Sequence, residues 1–363
     1  GTTVEYYDFY IYGTAACLVL GPLFFPKGDP NAQLLSAYVT FALAFVARPV
    51  GGWVFGDFGD RIGRKSTLVA SLLLMGASTV AIGFLPSYAT AGWVAPLMLC
   101  ILRFGQGLGL GGEWGGAALL AVENAPSGSK GRYGMFPQLG APVGFLVANG
   151  LFLLLNLWLS PQQFRDWGWR LPFMASVVLV GVGLWVRLKL TETPAFAKAM
   201  KEAPPANVPL AEVLRRHPLQ LIAGVFAVVQ AFAIYYVITT FALGYGTGTL
   251  HYSYAAFLGV QLGAIGFMAI GVILSACWSD LLAARKVLMV SGVMTIAMSF
   301  LLAPMMGSGS LLSIWGFLAV SMFVIGFTYG PIGMFLPSLF PARVRYSGAA
   351  MACTRTICAR TNW

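Results

Sequence analysis

The stretch VFGDFGDRIGRKSTL, residues 54–68, decides how this chain is read. It holds Asp57, Asp60, Arg61, Arg64 and Lys65 in a sequence of which only 9% is charged, and no formal charge follows from Ser66 to Leu102. A dense charged patch between two long apolar runs reads as a loop in water between two membrane-spanning helices. Its pattern is G-x-x-x-D-R-x-G-R-K, from Gly56 through Asp60, Arg61, Gly63 and Arg64 to Lys65. A weaker copy lies about 220 positions on, in CWSDLLAARKVL, where Asp280 precedes Arg285 and Lys286. A charged hairpin recurring at that distance indicates an internally duplicated membrane protein.

Composition agrees. Of 363 residues 58% are hydrophobic, whereas a soluble chain carries about 25% charged residues. The apolar segments are continuous over about 20 residues and do not alternate, which excludes a transmembrane barrel. The fold class is therefore an all-α integral membrane protein. The net charge of +10 is spread between the spans. It is a topology signal and gives no reason to expect a nucleic-acid partner. The five cysteines, Cys17, Cys100, Cys277, Cys353 and Cys358, form no C-x-x-C pair, so neither a disulfide framework nor a metal site is expected.

Ten spans are predicted, at 8–25, 34–55, 66–85, 93–122, 133–159, 171–188, 219–243, 254–278, 287–306 and 311–336. Loops after even-numbered spans hold 15 lysines and arginines against 3 on the other side. This bias predicts a multi-pass plasma-membrane topology with a cytoplasmic N-terminus. The longest loop, 191–217, is polar and proline-bearing. It reads as a cytoplasmic linker between an N-terminal six-helix bundle, 1–190, and a C-terminal bundle, 218–363.

Six helices, a long linker and a repeated charged hairpin resemble the major facilitator superfamily. VEYYDFYIYG (residues 4–13), RFGQGLGLGGEWGGAALLAVENAP (residues 103–126) and GWRLPF (residues 168–173) resemble its metabolite:proton symporter family in the first helix, the fourth helix and the entry to the sixth. The likeness is to bacterial inner-membrane metabolite transporters, near shikimate, dicarboxylate and osmolyte carriers. It implies two pseudo-repeated halves and twelve helices. LPSLFPARVRYSGAA, residues 336–350, matches the lead into an eleventh helix. MACTRTICARTNW, which follows, is too short and polar to span, so the eleventh and twelfth helices are expected to be absent.

Charges inside a bilayer cost about 2.5–3.5 kcal/mol each on insertion scales. The candidates are Glu5 and Asp8 on helix 1, Arg48 on helix 2, and Arg103 and Glu113 on helix 4. Glu5 and Asp8 share a helix face; the plain alternative is that both are solvated at the interface. Arg48 is expected to pair with a helix-1 carboxylate. Arg103 offers a planar fork for a carboxylate substrate. Glu113, in low dielectric, is a candidate to load and release a proton, with Arg103 modulating it; a structural ion pair with helix 1 or 2 is the alternative. Gly107, Gly109 and Gly112 satisfy G-x-G-x-x-G, but no strand precedes them, so no dinucleotide site is inferred. Pairs such as Gly107 and Gly111 instead admit a close neighbouring helix.

The hairpin reads as a gate. Asp60 would face a partner helix N-terminus, which the resemblance identifies as the eleventh helix, and Arg64 would reach Glu123. Tyr236, Gln138 and Gln230 are polar groups within spans that either pack or touch substrate. No H-E-x-x-H, nucleophile elbow or phosphate loop is present, so nothing indicates an enzyme or a cofactor. The function expected is alternating-access, proton-coupled uptake of a small hydrophilic metabolite, an organic acid, by a monomer. An osmolyte carrier for betaine or proline, and a non-transporting fragment or sensor, are the alternatives.

Overall fold

The computed structural model of the chain describes residues 2–62, 64–189, 209–341 and 344–358. Every regular element among them is helical, as a bilayer requires: without water, each N–H and C=O must pair inside its own segment. Helix α1, Thr2–Ala15, continues through a π turn, Ala16–Leu20, into Gly21–Phe24. Then come α2 (Pro30–Arg61), α3 (Arg64–Gly83), α4 (Val94–Glu123), α5 (Lys130–Trp158) and α6 (Arg170–Leu188). Helix α7, Pro218–Tyr236, also passes through a π turn, Val237–Phe241, into Ala242–Gly248. The remaining helices are α8 (Tyr254–Leu282), α9 (Ala284–Met306), α10 (Leu311–Tyr329, prolonged by Ile332–Ser338) and α11 (Arg345–Cys358). The two π turns stand about 220 positions apart, at matching places in the first helix of each half. Among the described residues α2 to α10 are each long and apolar enough to cross a membrane. These nine correspond to the second through tenth spans read from the sequence, and α1 stands where the first was expected.

Three expectations change. The charged stretch is scarcely a loop, because α2 runs on to Arg61 and α3 starts at Arg64. Continuing the helix pairs its backbone groups internally. Helix α1 starts at Thr2, which carries Glu5 and Asp8 into the interior: Glu5 is 1% exposed and Asp8 0%. An eleventh helix does begin. The 14 residues of α11 reach about 21 Å at 1.5 Å per residue, less than a bilayer core of about 30 Å.

The two faces of α4 are built from small residues. Gly107 and Gly111 lie against Ala44 and the Arg48 carbonyl on α2, while Gly105 and Gly109 lie against Ser78, Ser71 and Met75 on α3. This is close packing of backbones in the absence of a hydrophobic drive between helices. The α8–α9 turn, which answers to the α2–α3 turn, holds Ala283 at φ 70°. A side chain in that region costs about 1–2 kcal/mol. Ala283→Gly is therefore expected to raise the thermal unfolding midpoint; an unchanged or lower midpoint would show that the strain is absent.

Candidate functional site

Five residues of VEYYDFYIYG have distinct polar partners. Glu5 accepts from Arg48 Nη2 of α2 at 3.1 Å. The Tyr6 hydroxyl meets that of Tyr329 on α10. Tyr7 donates to the Pro172 carbonyl at 2.8 Å. Asp8 accepts from Thr79 of α3 and Ser176 of α6, both at 2.8 Å. Tyr12 shares a 2.5 Å hydrogen bond with Thr40 of α2. One helix thus touches four others, through polar groups spread over the chain. GWRLPF is structural: Arg170 donates to the Gly83 and Leu85 carbonyls at the end of α3, and Trp169 is buried against Phe24 and Phe173.

A cavity of about 470 Å³ lies between the halves. Helices α1, α2 and α5 line one wall, with Tyr10, Phe41 and Asn149; α7 and α8 line the other, with Tyr235, Tyr236 and Gln261. It extends to Leu18, Leu34, Gly248 and Tyr254, the helix ends opposite the charged hairpin. At its floor a narrower recess shares Phe9, Tyr10, Tyr235 and Tyr236 and adds Arg48, Tyr6 and Tyr329. Among the described residues Arg48 is the one charged residue lining either space. Its guanidinium lies 6.0 Å from the Phe9 ring centroid and 5.9 Å from that of Phe45.

Arg103 is not in the cavity wall. It is fully buried behind Phe41, its guanidinium 3.7 Å from the Tyr12 ring centroid. It donates to Gln106 Oε1 at 2.6 Å and to the Phe41 carbonyl at 3.2 Å. Gln106 donates to Thr79 at 2.6 Å, and Thr79 to Asp8, so a chain of hydrogen bonds joins Arg103 to Asp8. Glu113 is paired neither with Arg103 nor with helix 1 or 2. Its partner is Arg187 of α6, which also donates to the Leu68 carbonyl. Arg187 was counted among the basic residues of the cytoplasmic side, although it falls within the predicted span 171–188, between Val186 and Leu188. That flanking was the available signal. Gln106, three positions after Arg103 on α4, was missed as well.

Gln230 faces α9, donating to Thr295 at 2.7 Å, and Gln138 lies buried against Gly333. Neither lines the two spaces, whereas Tyr236 lines both. Among the described residues no group of His, Cys, Asp or Glu could hold a metal ion.

At the hairpin end the halves are closed on each other. Asp280 accepts from the backbone N–H of Gly131 at 2.6 Å and of Arg132 at 3.1 Å, and from Arg132 Nε at 3.2 Å. It is a carboxylate at the positive end of α5, supplied by the opposite half. Gly56 packs in the same way on Ser347, in the first turn of α11. Gly63 and the side chains of Asp60, Arg61 and Arg64 lie outside the described residues. The described partner of Glu123 is Arg345, at 3.4 Å. Lys65 donates to the Leu188 carbonyl at the end of α6 at 2.8 Å, and Arg285 is exposed. Asp280→Asn keeps the shape but removes the charge, a helix-end interaction of about 0.3–1 kcal/mol. It is expected to raise the labelling rate of a cysteine introduced beside Gly134 severalfold; an unchanged rate would show that Asp280 does not hold this end shut.

The profile of the Major Facilitator Superfamily matches residues 5–359. The inner membrane metabolite transport protein YhjE of Escherichia coli is 47% identical over 364 residues, 97% of this chain and 81% of that protein. The shikimate transporter of Escherichia coli is 40% identical over 289 residues, 79% of this chain and 66% of that protein. In fold, the proton:xylose symporter XylE bound to 6-bromo-6-deoxy-D-glucose superposes with a TM-score of 0.77 at 17% identity, covering 99% of this chain and 85% of that one. The chain belongs to the Major Facilitator Superfamily and is a multi-pass membrane protein of the transporter class.

Proposed function

We propose that the chain is a secondary active transporter coupling uptake of a small organic acid to proton entry across a bacterial inner membrane, with its N-terminus in the cytoplasm. The observation that carries this reading is Arg48. Among the described residues it is the single cation in the recess between the halves, it shares its guanidinium with Glu5, and it stands at the floor of a cavity closed at the hairpin end. A guanidinium fork matches a carboxylate, and a substrate anion competing with Glu5 for it leaves Glu5 to take up a proton. The basic bias places the hairpin inside, so the cavity opens outward, as uptake by alternating access requires. The kinship with a metabolite transport protein and a shikimate transporter supports the substrate class.

A second reading, a zwitterionic osmolyte, draws on the rings of Phe9, Phe45 and Tyr236 beside the same arginine, which suit a substrate carrying a cation. One experiment separates the two: uptake into inverted-free, right-side-out vesicles of labelled organic acids, betaine and proline, with and without a proton gradient. Gradient-driven accumulation of an acid is expected. Accumulation of betaine or proline alone would transfer the assignment to the osmolyte reading, and uptake indifferent to the gradient would remove proton coupling. For orientation, reporter fusions in 191–217 are expected to be active only as cytoplasmic reporters; periplasmic activity there would invert the topology.

A further inference from the structure

Two buried amides line the large cavity from opposite halves, Asn149 of α5 and Gln261 of α8. They are 3% and 1% exposed. The two helices run in opposite directions and are joined at the hairpin end, where Asp280 accepts from the Gly131 N–H at 2.6 Å. Asn149 lies 18 positions after Gly131 and Gln261 19 positions before Asp280. Both therefore stand about 28 Å from that junction, at one level of the cavity. Each amide is oriented by a bond to its own half. Gln261 Nε2 donates to the Ile238 and Thr239 carbonyls at 3.1 and 2.8 Å, in the π turn of α7. Carbonyls only accept, so the amide nitrogen must face the turn and Oε1 must face away. Thr14 of α1 donates to Asn149 Oδ1 at 2.7 Å, which leaves the Nδ2 group. Neither Gln261 Oε1 nor Asn149 Nδ2 has a partner among the described residues. Neither is a sealed orphan like Glu5 Oε2, so each ends on the cavity surface.

We infer that Asn149 and Gln261 form a hydroxyl-reading subsite, and that the acid carried is a hydroxylated monocarboxylate. A pre-set donor on one wall and a pre-set acceptor on the other are what a hydroxyl satisfies, since it accepts and donates through one atom. A carboxylate offers no donor and an ammonium no acceptor. Among the described residues no charged side chain lines this cavity, so a second charge on the substrate would be desolvated there without a counter-ion. The carboxylate end rests on the reading of Arg48 given above. The spacing agrees with it. Arg48 lies beside Phe9 of α1, and Thr14, which holds Asn149, is five positions further along the same helix. That is about 7.5 Å along the axis, roughly the length of a six-carbon chain. Tyr10, Tyr235 and Tyr236 line the cavity and its recess alike, and would flank the body of such a molecule.

The test is equilibrium binding to the reconstituted protein by titration calorimetry, with four probes of equal carbon count: gluconate, hexanoate, adipate and glucitol. Gluconate is expected to bind at least about tenfold more tightly than hexanoate or adipate, because each leaves the two amide groups without the hydroxyl they read. Asn149→Leu and Gln261→Leu should each bring gluconate down to the affinity of hexanoate and leave hexanoate where it was. A merely structural role would weaken both acids together and keep their ratio. Gln261→Leu also strips the two π-turn carbonyls of their donor, so if that variant does not fold, Asn149→Leu decides alone. The inference is overturned if gluconate does not bind, if it binds no more tightly than hexanoate, or if the ratio survives in Asn149→Leu. Glucitol binding as tightly as gluconate, and weakened in Asn149→Leu, would uphold the hydroxyl subsite and remove the carboxylate end assigned to Arg48. Equal binding of gluconate and hexanoate, both lost in Arg48→Gln, would do the reverse.

Discussion

Replacing Arg48 by glutamine is expected to abolish uptake of the organic acid while the protein still reaches the membrane. Among the described residues Arg48 is the only charged side chain lining the cavity and its recess. Losing a desolvated charge partner costs about 2–5 kcal/mol, which at about 1.4 kcal/mol per decade is on the order of 10²- to 10³-fold in affinity. The same change leaves Glu5 without its cation at 1% exposure, a loss of about 3–5 kcal/mol of stability if Glu5 stays ionised. Neutralising Glu5 as well should restore stability and not uptake, which separates the two effects. Arg48→Lys should restore little, since a point charge does not reproduce the fork. Initial uptake rates against substrate concentration measure this. A wild-type KM in Arg48→Gln would remove Arg48 from the binding site.

The architecture was legible because the bilayer makes sequence and structure correspond closely: a continuous apolar run can only be a helix. The ten spans and the repeat of the hairpin followed from that. What the sequence did not disclose is pairing across helices. Arg103 and Glu113 stand on one helix, which made them look like partners. The structure turns them to different neighbours, Arg103 to Gln106 and Tyr12, Glu113 to Arg187. Arg187 carried the sign of a loop residue because positive charges near span ends are usually topology signals. The residue beside the cavity is Arg48, one helix away from the arginine that the string RFGQGLGLGGEWGG brought forward. Periodicity gives the face a residue occupies, and only packing gives what that face meets. The eleventh helix was hidden for another reason. Its polar residues fail a hydropathy criterion, yet Ser347, Ala350 and Ala352 are buried against neighbouring helices.

Gly111→Ala should damage both the packing and the binding of the protein. A Cβ at this position would meet the Arg48 carbonyl first, with Gly52 N at 2.5 Å and Gly51 C at 2.9 Å. All three neighbours are backbone, so no side chain can swing aside, and α2 must move off α4. Overpacking of a tight contact costs about 1–3 kcal/mol. Here the displaced residue is Arg48, so the substitution acts on binding as well as on folding. Gly150 on α5 and Gly181 on α6 have open space where a Cβ would stand, so Gly150→Ala and Gly181→Ala should be tolerated or stabilising. The measurements are the thermal unfolding midpoint in detergent and the KM for uptake. Gly111→Ala is expected to lower the first and raise the second, with the two open-site variants unchanged in KM. If Gly111→Ala melts like the open-site variants and keeps the wild-type KM, then α2 and α4 do not pack as closely as described, and the position of Arg48 does not depend on their contact.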